Sequence, residues 1–294
     1  MFNQLGVIGC GLMGGSFALA LKRGGLVKRV IGYSKSPSTT ERAKKLGVID
    51  DAAESALLAV SGSDIVLIAV PVSATEVTLK NIRQLIEPQV LVMDAGSTKR
   101  DVVDAARRVL RDRIASFVPA HPIAGKEAAG IQHADAQLFH RRQVILTPLP
   151  QTDQAMLQKA TDVWSAIGAQ VLRMTPENHD AAFAAVSHLP HLLAFAYFNG
   201  VANQTSGRDF LSLAGPGFRD FTRIAASDPT MWRDIFGANR EEVLKQTQKF
   251  RLALDAFELA LKTGNGEALE ELIRTAAEGR GNWQLGGSRG ATRN

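Results

Sequence analysis

The chain has 294 residues, 45% of them hydrophobic and 21% charged, enough for two domains with sizeable cores. Its one cysteine, Cys10, excludes a disulfide framework and fits a reducing compartment, so a cytoplasmic location is expected. The formal net charge of +5 is not gathered into basic runs interleaved with aromatics, which argues against nucleic acid and suits a small anionic ligand.

Residues 5–21, LGVIGCGLMGGSFALAL, are apolar enough to imitate a leader or a membrane span. No basic residue precedes them and glycines interrupt them, so a buried strand, a tight turn and a helix are expected, with no membrane partner. The turn reads Gly9-Cys10-Gly11-Leu12-Met13-Gly14. A GxGxxG directly after a strand and before a helix suits dinucleotide phosphates: Gly9 for the turn, Gly11 for backbone approach, Gly14 for close packing, and the N–H groups of Leu12 and Met13 at the helix start. The next strand, VKRVIGYS, ends on Ser34 and Lys35 where an NAD reader would carry a carboxylate. A hydroxyl beside a cation suits a ribose 2′-phosphate, so NADP is favoured over NAD.

Strand and helix patterns then alternate. SDIVLIAVPV (63–72) is a strand ending at Val70 and Pro71, two further cofactor candidates, and VLVMDAG (90–96) is another. Ser97 or Thr98 caps the helix over 97–113. IASFVPAHP (114–122) is a single strand placing His121 at its tip, since Pro122 holds the histidine extended. QVILTP (143–148) and AQVLRM (169–174) complete an α/β, doubly wound Rossmann-type parallel sheet over residues 1–173. Ligands in such sheets lie beyond the strand carboxyl ends, where Pro71, Ser97 and His121 fall.

After Met174 the pattern is all helical, giving a substrate and dimerisation domain over 174–285 and a disordered Gly/Ser/Arg-rich tail over 286–294. Thr175 caps a helix with Pro176 in its first turn. His179, Phe183, Ser187 and His191 are four apart and share a face, and Pro190 predicts a kink beside them. Arg219 and Arg223 are placed on one helical face, and Asp228 caps the helix that carries Trp232. Residues 236–263 read as one long amphipathic helix whose apolar surface predicts a homodimer. The histidines lie without an HExxH or a cysteine cluster, so no metal is expected.

GCGLMGGS, DAGSTK, AHPIAG, VSHLPH and GFRDFTRIAASDPTMW occur in that order. Together they resemble the prephenate/arogenate dehydrogenase (TyrA) family over about residues 5–283. The resemblance implies oxidative decarboxylation of a small dicarboxylate, prephenate or arogenate, with hydride transfer to NAD(P)+. It implies that His121 takes the proton of the ring hydroxyl, that Ser97 bridges it, and that Arg223 grips the ring carboxylate. Ser187 and His191 line the substrate side, Glu127 shapes the pocket mouth, and His179 and Asp180 support the site. Trp232 lies near the same pocket. Lys126 departs from the small or hydroxyl residue expected of the family. It either binds a second carboxylate or pairs with Glu127. A β-hydroxyacid dehydrogenase-like oxidoreductase and a non-catalytic NADP-binding regulator are the competing readings.

Overall fold

The computed structural model describes residues 1–126 and 128–284. Glu127 and the tail expected to be disordered (286–294) lie outside the described residues. Contacts divide the chain into two units, residues 1–240 and residues 241 onward.

The first unit is built on a six-stranded parallel sheet of order β3-β2-β1-β4-β5-β6. Its strands are β1 (Phe2–Ile8), β2 (Val27–Tyr33), β3 (Asp51–Ala52), β4 (Ile65–Ile68), β5 (Leu91–Asp94) and β6 (Phe117–Val118). Helices α1 (Leu12–Arg23), α2 (Pro37–Lys45), α3 (Ala56–Val60), α4 (Thr75–Ile82) and α5 (Arg100–Leu110) make the connections. Both faces are covered, which is why the strands read as unbroken apolar runs. Leu5, Val7, Leu67 and Met93 pack on one face with Phe17 and Trp164, while Ile8, Val66, Ile68 and Val92 pack on the other with Val102 and Phe117. The strand order reverses between β1 and β4, the crevice that takes ligands in this architecture.

The single strand expected over 114–122 divides. Residues Arg111–Ser116 coil as a 3-10 helix, β6 joins the parallel sheet, and β7 (Ala120–Pro122) leaves it. There β7 pairs antiparallel with β8 (Gln143–Leu146), which pairs in parallel with β9 (Gln170–Arg173). Helix α6 (Gln154–Ala166) joins those two strands. Pro119 breaks the run because it has no N–H for a ladder.

Helix α7 (Pro176–Phe183) starts as expected, with Thr175 Oγ1 accepting the Asn178 N–H. The Pro190 kink takes a particular form. The turn Ala184–His188 is π-helical, and α8 (Leu189–Ala202) continues from it. In the widened turn the Leu189 N–H bonds to the Ala184 carbonyl five residues back, which makes room for the proline ring against the preceding turn. The combined run 176–202 is long and apolar enough to cross a membrane by length and composition, yet it carries buried His179, Asp180 and His188.

Helices α9 (Gly207–Ser212), α10 (Pro216–Thr222) and α11 (Pro229–Ala238) complete the first unit, and Asp228 caps α11 by accepting the Met231 N–H. Arg219 and Arg223 do not share one regular helix, because α10 ends at Thr222 and a 3-10 turn begins at Arg223. The long helix expected over 236–263 breaks at Asn239, with α12 spanning Arg240–Lys262. In the second unit, α13 (Gly266–Asn282) follows a turn capped by Asn265, which accepts the Ala268 N–H.

Candidate active site

The glycine loop fits a dinucleotide. Gly9 has φ +98°, and a Cβ there would sit 2.3 Å from the Ala69 carbonyl oxygen at the end of β4. A Cβ on Gly14 would meet the Gly9 carbonyl oxygen at 2.1 Å. Gly11 has open space where a Cβ would stand, the cradle that a pyrophosphate requires. It is the N-cap of α1, with no side-chain cap and no acid in the first turn, so that helix end suits an anion. Ser34 Oγ accepts the Cys10 N–H at 2.8 Å, tying the end of β2 to the loop, and Lys35 is exposed beside it.

A cavity of about 490 Å³ opens from this loop, lined by Gly11, Leu12, Met13, Ser97, His121 and Ser187, with Lys126 and Trp232 on its border. Lys126 and Trp232 also border a second cavity of about 880 Å³, which His191 and Arg223 line. The expected residues thus meet in two adjoining spaces. Val70 and Pro71 follow Ala69 at the tip of β4 but do not line the first cavity. Lys126 is held by Asp135 at 3.0 Å and donates to the His133 carbonyl, so its partner in the structure is an acid on its own connecting loop. The Asp220 carboxylate is taken by Arg219.

His121 sits at the head of a hydrogen-bonded chain. Its Nδ1 lies 2.8 Å from His179 Nε2, and His179 Nδ1 lies 2.8 Å from Asp180 Oδ1. The Asp180 carboxylate also accepts the N–H groups of Lys99 and Arg100, at 2.9 Å each. This corrects the expected cap of α5: the N-cap position is Lys99, and neither Ser97 nor Thr98 closes the helix with its side chain. A carboxylate from α7 does so instead, which leaves Ser97 to line the cavity. An acceptor-only carboxylate fixes the rest of the chain. His179 donates from Nδ1 and must accept at Nε2, so His121 donates from Nδ1. Nε2 of His121 then carries a lone pair and is the ring nitrogen left for a ligand.

The imidazoles around this chain are held neutral. Burial, then the neighbouring His179, Lys99 and His188, keep His121 well below the ordinary imidazole range. Burial lowers His179 against the opposing pull of Asp180. Burial pushes His188 down to about 4, and its Nδ1 accepts from Asn239 Nδ2 at 3.1 Å. His191 donates from Nδ1 to the Ser187 carbonyl at 2.9 Å and stacks on Trp232, with ring centroids 3.7 Å apart. Burial and the Arg223 cation lower its pKa.

A stability prediction follows from His188. The unfolded imidazole binds a proton near pH 6.5 and the folded one only near 4, so the unfolded state holds more protons between those values. Stability therefore falls as pH drops through that window. The urea midpoint should be lower at pH 5 than at pH 7.5; equal midpoints would remove the buried neutral histidines from the account.

Asp94, Lys99 and Asn239 join the site without having been singled out from the sequence. Asp94 and Lys99 are the first and last residues of the DAGSTK motif, and a carboxylate closing an otherwise apolar buried strand was the available signal. Asn239 carried none, being one polar residue in a helical stretch.

The fold and the site together define a dinucleotide-binding oxidoreductase with a neutral imidazole in the cavity that opens from the glycine loop and cations in the adjoining one. Family models match here, the "Prephenate dehydrogenase, nucleotide-binding domain" over residues 17–173 and the "Prephenate dehydrogenase, dimerization domain" over 175–275. The prephenate dehydrogenase of Bacillus subtilis is 37% identical over 284 residues, which are 95% of this chain and 75% of that protein. The cyclohexadienyl dehydrogenase of Zymomonas mobilis is 32% identical, covering 95% of this chain and 96% of its own. The Aquifex aeolicus prephenate dehydrogenase, solved in complex with hydroxyphenyl propionate and NAD+, superimposes with a TM-score of 0.89 at 36% identity over 95% of this chain and 97% of that one. The chain belongs to the prephenate dehydrogenase family.

Proposed function

We propose that this chain oxidatively decarboxylates prephenate or arogenate, giving 4-hydroxyphenylpyruvate or tyrosine. The supporting observation is the Asp180–His179–His121 chain, which leaves an unprotonated Nε2 on a ring that shares its cavity with the glycine loop. When bound, the dinucleotide supplies the hydride acceptor. His121 takes the proton of the ring hydroxyl as the carbon bearing it is oxidised, the ring carboxylate departs as carbon dioxide, and the ring becomes aromatic. Ser97, on the same cavity wall, shares the hydroxyl with His121. Arg223 grips a carboxylate with its planar fork, while Lys126 and His191 on the same cavity meet the other end of the substrate and Ser187 lines the wall between. Turnover of both substrates with NADP+ and NAD+, followed as reduced nicotinamide, tests this reading; failure on every combination overturns it.

The favoured cofactor is NADP. Tyr33, Ser34, Lys35 and Ser36 close β2 without a carboxylate, and nearby Asp50 and Asp51 are engaged by Lys22, Arg29 and Lys44. In Ser34→Asp the new carboxylate can still accept the Cys10 N–H but repels a 2′-phosphate. The NADP+/NAD+ ratio of kcat/KM should fall at least about tenfold, since one charge-assisted contact is worth roughly that. An unchanged ratio places phosphate recognition elsewhere.

Two copies pair through the helical region. Leu252, Leu261 and Ile273 are exposed on α12 and α13, and the family model over 175–275 is described as a dimerization domain. The lone thiol, Cys10, is buried and its pKa is pushed up to about 11, as suits an inert core cysteine in a cytoplasmic enzyme.

A further inference from the structure

A fully buried ion pair lies behind His121. Lys99 and Asp94 are 0% and 1% exposed, and Lys99 Nζ donates to Asp94 Oδ2. Burying two charges is costly, and an apolar pair of similar volume commonly stabilises a core as well or better. The pair's other bonds indicate what it does. Asp94 Oδ1 accepts the Ala120 N–H at 3.0 Å, and Lys99 Nζ donates to the Ala120 carbonyl at 2.7 Å.

Ala120 needs these partners because of the strand switch. The ladder between β7 and β8 is carried by its odd-numbered residues: Thr147 N–H donates to the Pro119 carbonyl, and Ile123 N–H to the Gln143 carbonyl. The polar groups of Ala120 therefore point away from β8. The chain has already left the parallel sheet at Val118, and among the described residues β7 has a ladder partner on its β8 side only. A buried peptide group without partners would be costly, and Asp94 and Lys99 stand in for the missing strand.

Lys99 reaches His121 by a second route. Its own N–H is held by Asp180 Oδ1, the atom that also meets His179 Nδ1. Asp94 in turn accepts the Gly96 N–H at 2.8 Å, fixing the loop that carries Ser97.

We propose that Asp94 and Lys99 are positioning residues for the reaction, a buried clamp that sets the backbone of His121 against both the Ser97 loop and the imidazole chain. The inference rests on His121 being the base. The charge matters as well as the bonds. The groups facing His121 are His179 from α7, His188 from the π-turn and Lys99, with Asp180 and Asp94 behind them. The Lys99 cation opposes protonation of His121, so its removal lets the pKa of that ring rise.

The test uses Lys99→Met and the double variant Asp94→Leu/Lys99→Met in the full chain, with His121→Asn in parallel. Lys99→Met alone strands a buried carboxylate and should melt lower than the double variant, whose core is neutral. Both should lose about ten- to a hundredfold in kcat with dinucleotide Kd changed less than about threefold, and the acid limb of kcat/KM should move to higher pH. A double variant with wild-type kcat and pH profile overturns the clamp. So does one whose kcat falls with an unmoved acid limb and an equal loss of dinucleotide affinity, or one that cannot fold, because the pair would then serve the fold alone. If His121→Asn keeps kcat, the base assignment itself fails; if it loses kcat while the other variants keep theirs, only the clamp fails.

Discussion

His121→Asn lowers kcat by about a thousandfold and leaves dinucleotide affinity within about twofold, the loss typical of a positioned general base. Asparagine can still donate toward His179, so the chain ending on Asp180 keeps a partner and the fold survives. It offers no nitrogen lone pair to a ring hydroxyl, and the remaining rate comes from binding and orientation. The wild-type pH profile supplies the companion test. A base must be neutral to work, and burial together with Lys99 and the neighbouring histidines depresses the pKa of His121. The acid limb of kcat/KM therefore lies below the ordinary imidazole value of about 6.5. A limb above that value, or a His121→Asn enzyme with undiminished kcat, removes the ring from the chemistry. The measurement is a steady-state series from about pH 5 to 9, with dinucleotide affinity followed separately by fluorescence.

Arg223→Ala raises KM for the dicarboxylate by about a hundredfold, with a smaller change in kcat. Arg223 borders the larger cavity with Lys126 and His191. Its planar guanidinium can meet a carboxylate with two parallel bonds, whereas the Lys126 ammonium, which also bonds Asp135, meets one as a point charge. A charge-assisted contact contributes roughly 1.5–3 kcal/mol, and tenfold in affinity corresponds to about 1.4 kcal/mol. Arg223→Lys should recover only part of the loss, because an ammonium cannot form the fork. A KM within about threefold of wild type in Arg223→Ala would assign the carboxylate to Lys126 instead, and Lys126→Met would then carry the effect.

The glycine loop, the alternation of the first half and the helical second half were legible in the sequence because each rests on short-range pattern. GxGxxG is read within a few residues, buried parallel strands declare themselves by unbroken apolar runs, and Thr175 and Asp228 are local caps. What escaped depends on contacts between distant segments. The cap of α5 comes from Asp180, some 80 residues further on, so the nearer candidates Ser97 and Thr98 looked sufficient. The division of 114–122 into two strands follows from which sheet each half joins, and an apolar run does not say that. The residues named from the sequence, His121, Ser97, Ser187, His191 and Arg223, line two adjoining cavities, whereas the partner of Lys126 was not foreseen, because Asp135 is brought to it only by the folding of the intervening loop.

The widened turn at Ala184–His188 divides the helix that crosses the site into two segments with separate phasing. Each residue of a helix advances about 100° around the axis, so shortening that turn by one position would rotate everything beyond it by that angle. His179 and Asp180, lying before the turn, would keep their aim at the imidazole, while His191 would swing off the indole it rests on. The turn thus uncouples the aim of His179 and Asp180 from that of His191, so a change of a single residue in its length would reshape the cavity that His191 lines while the bond from His179 to Asp180 persists.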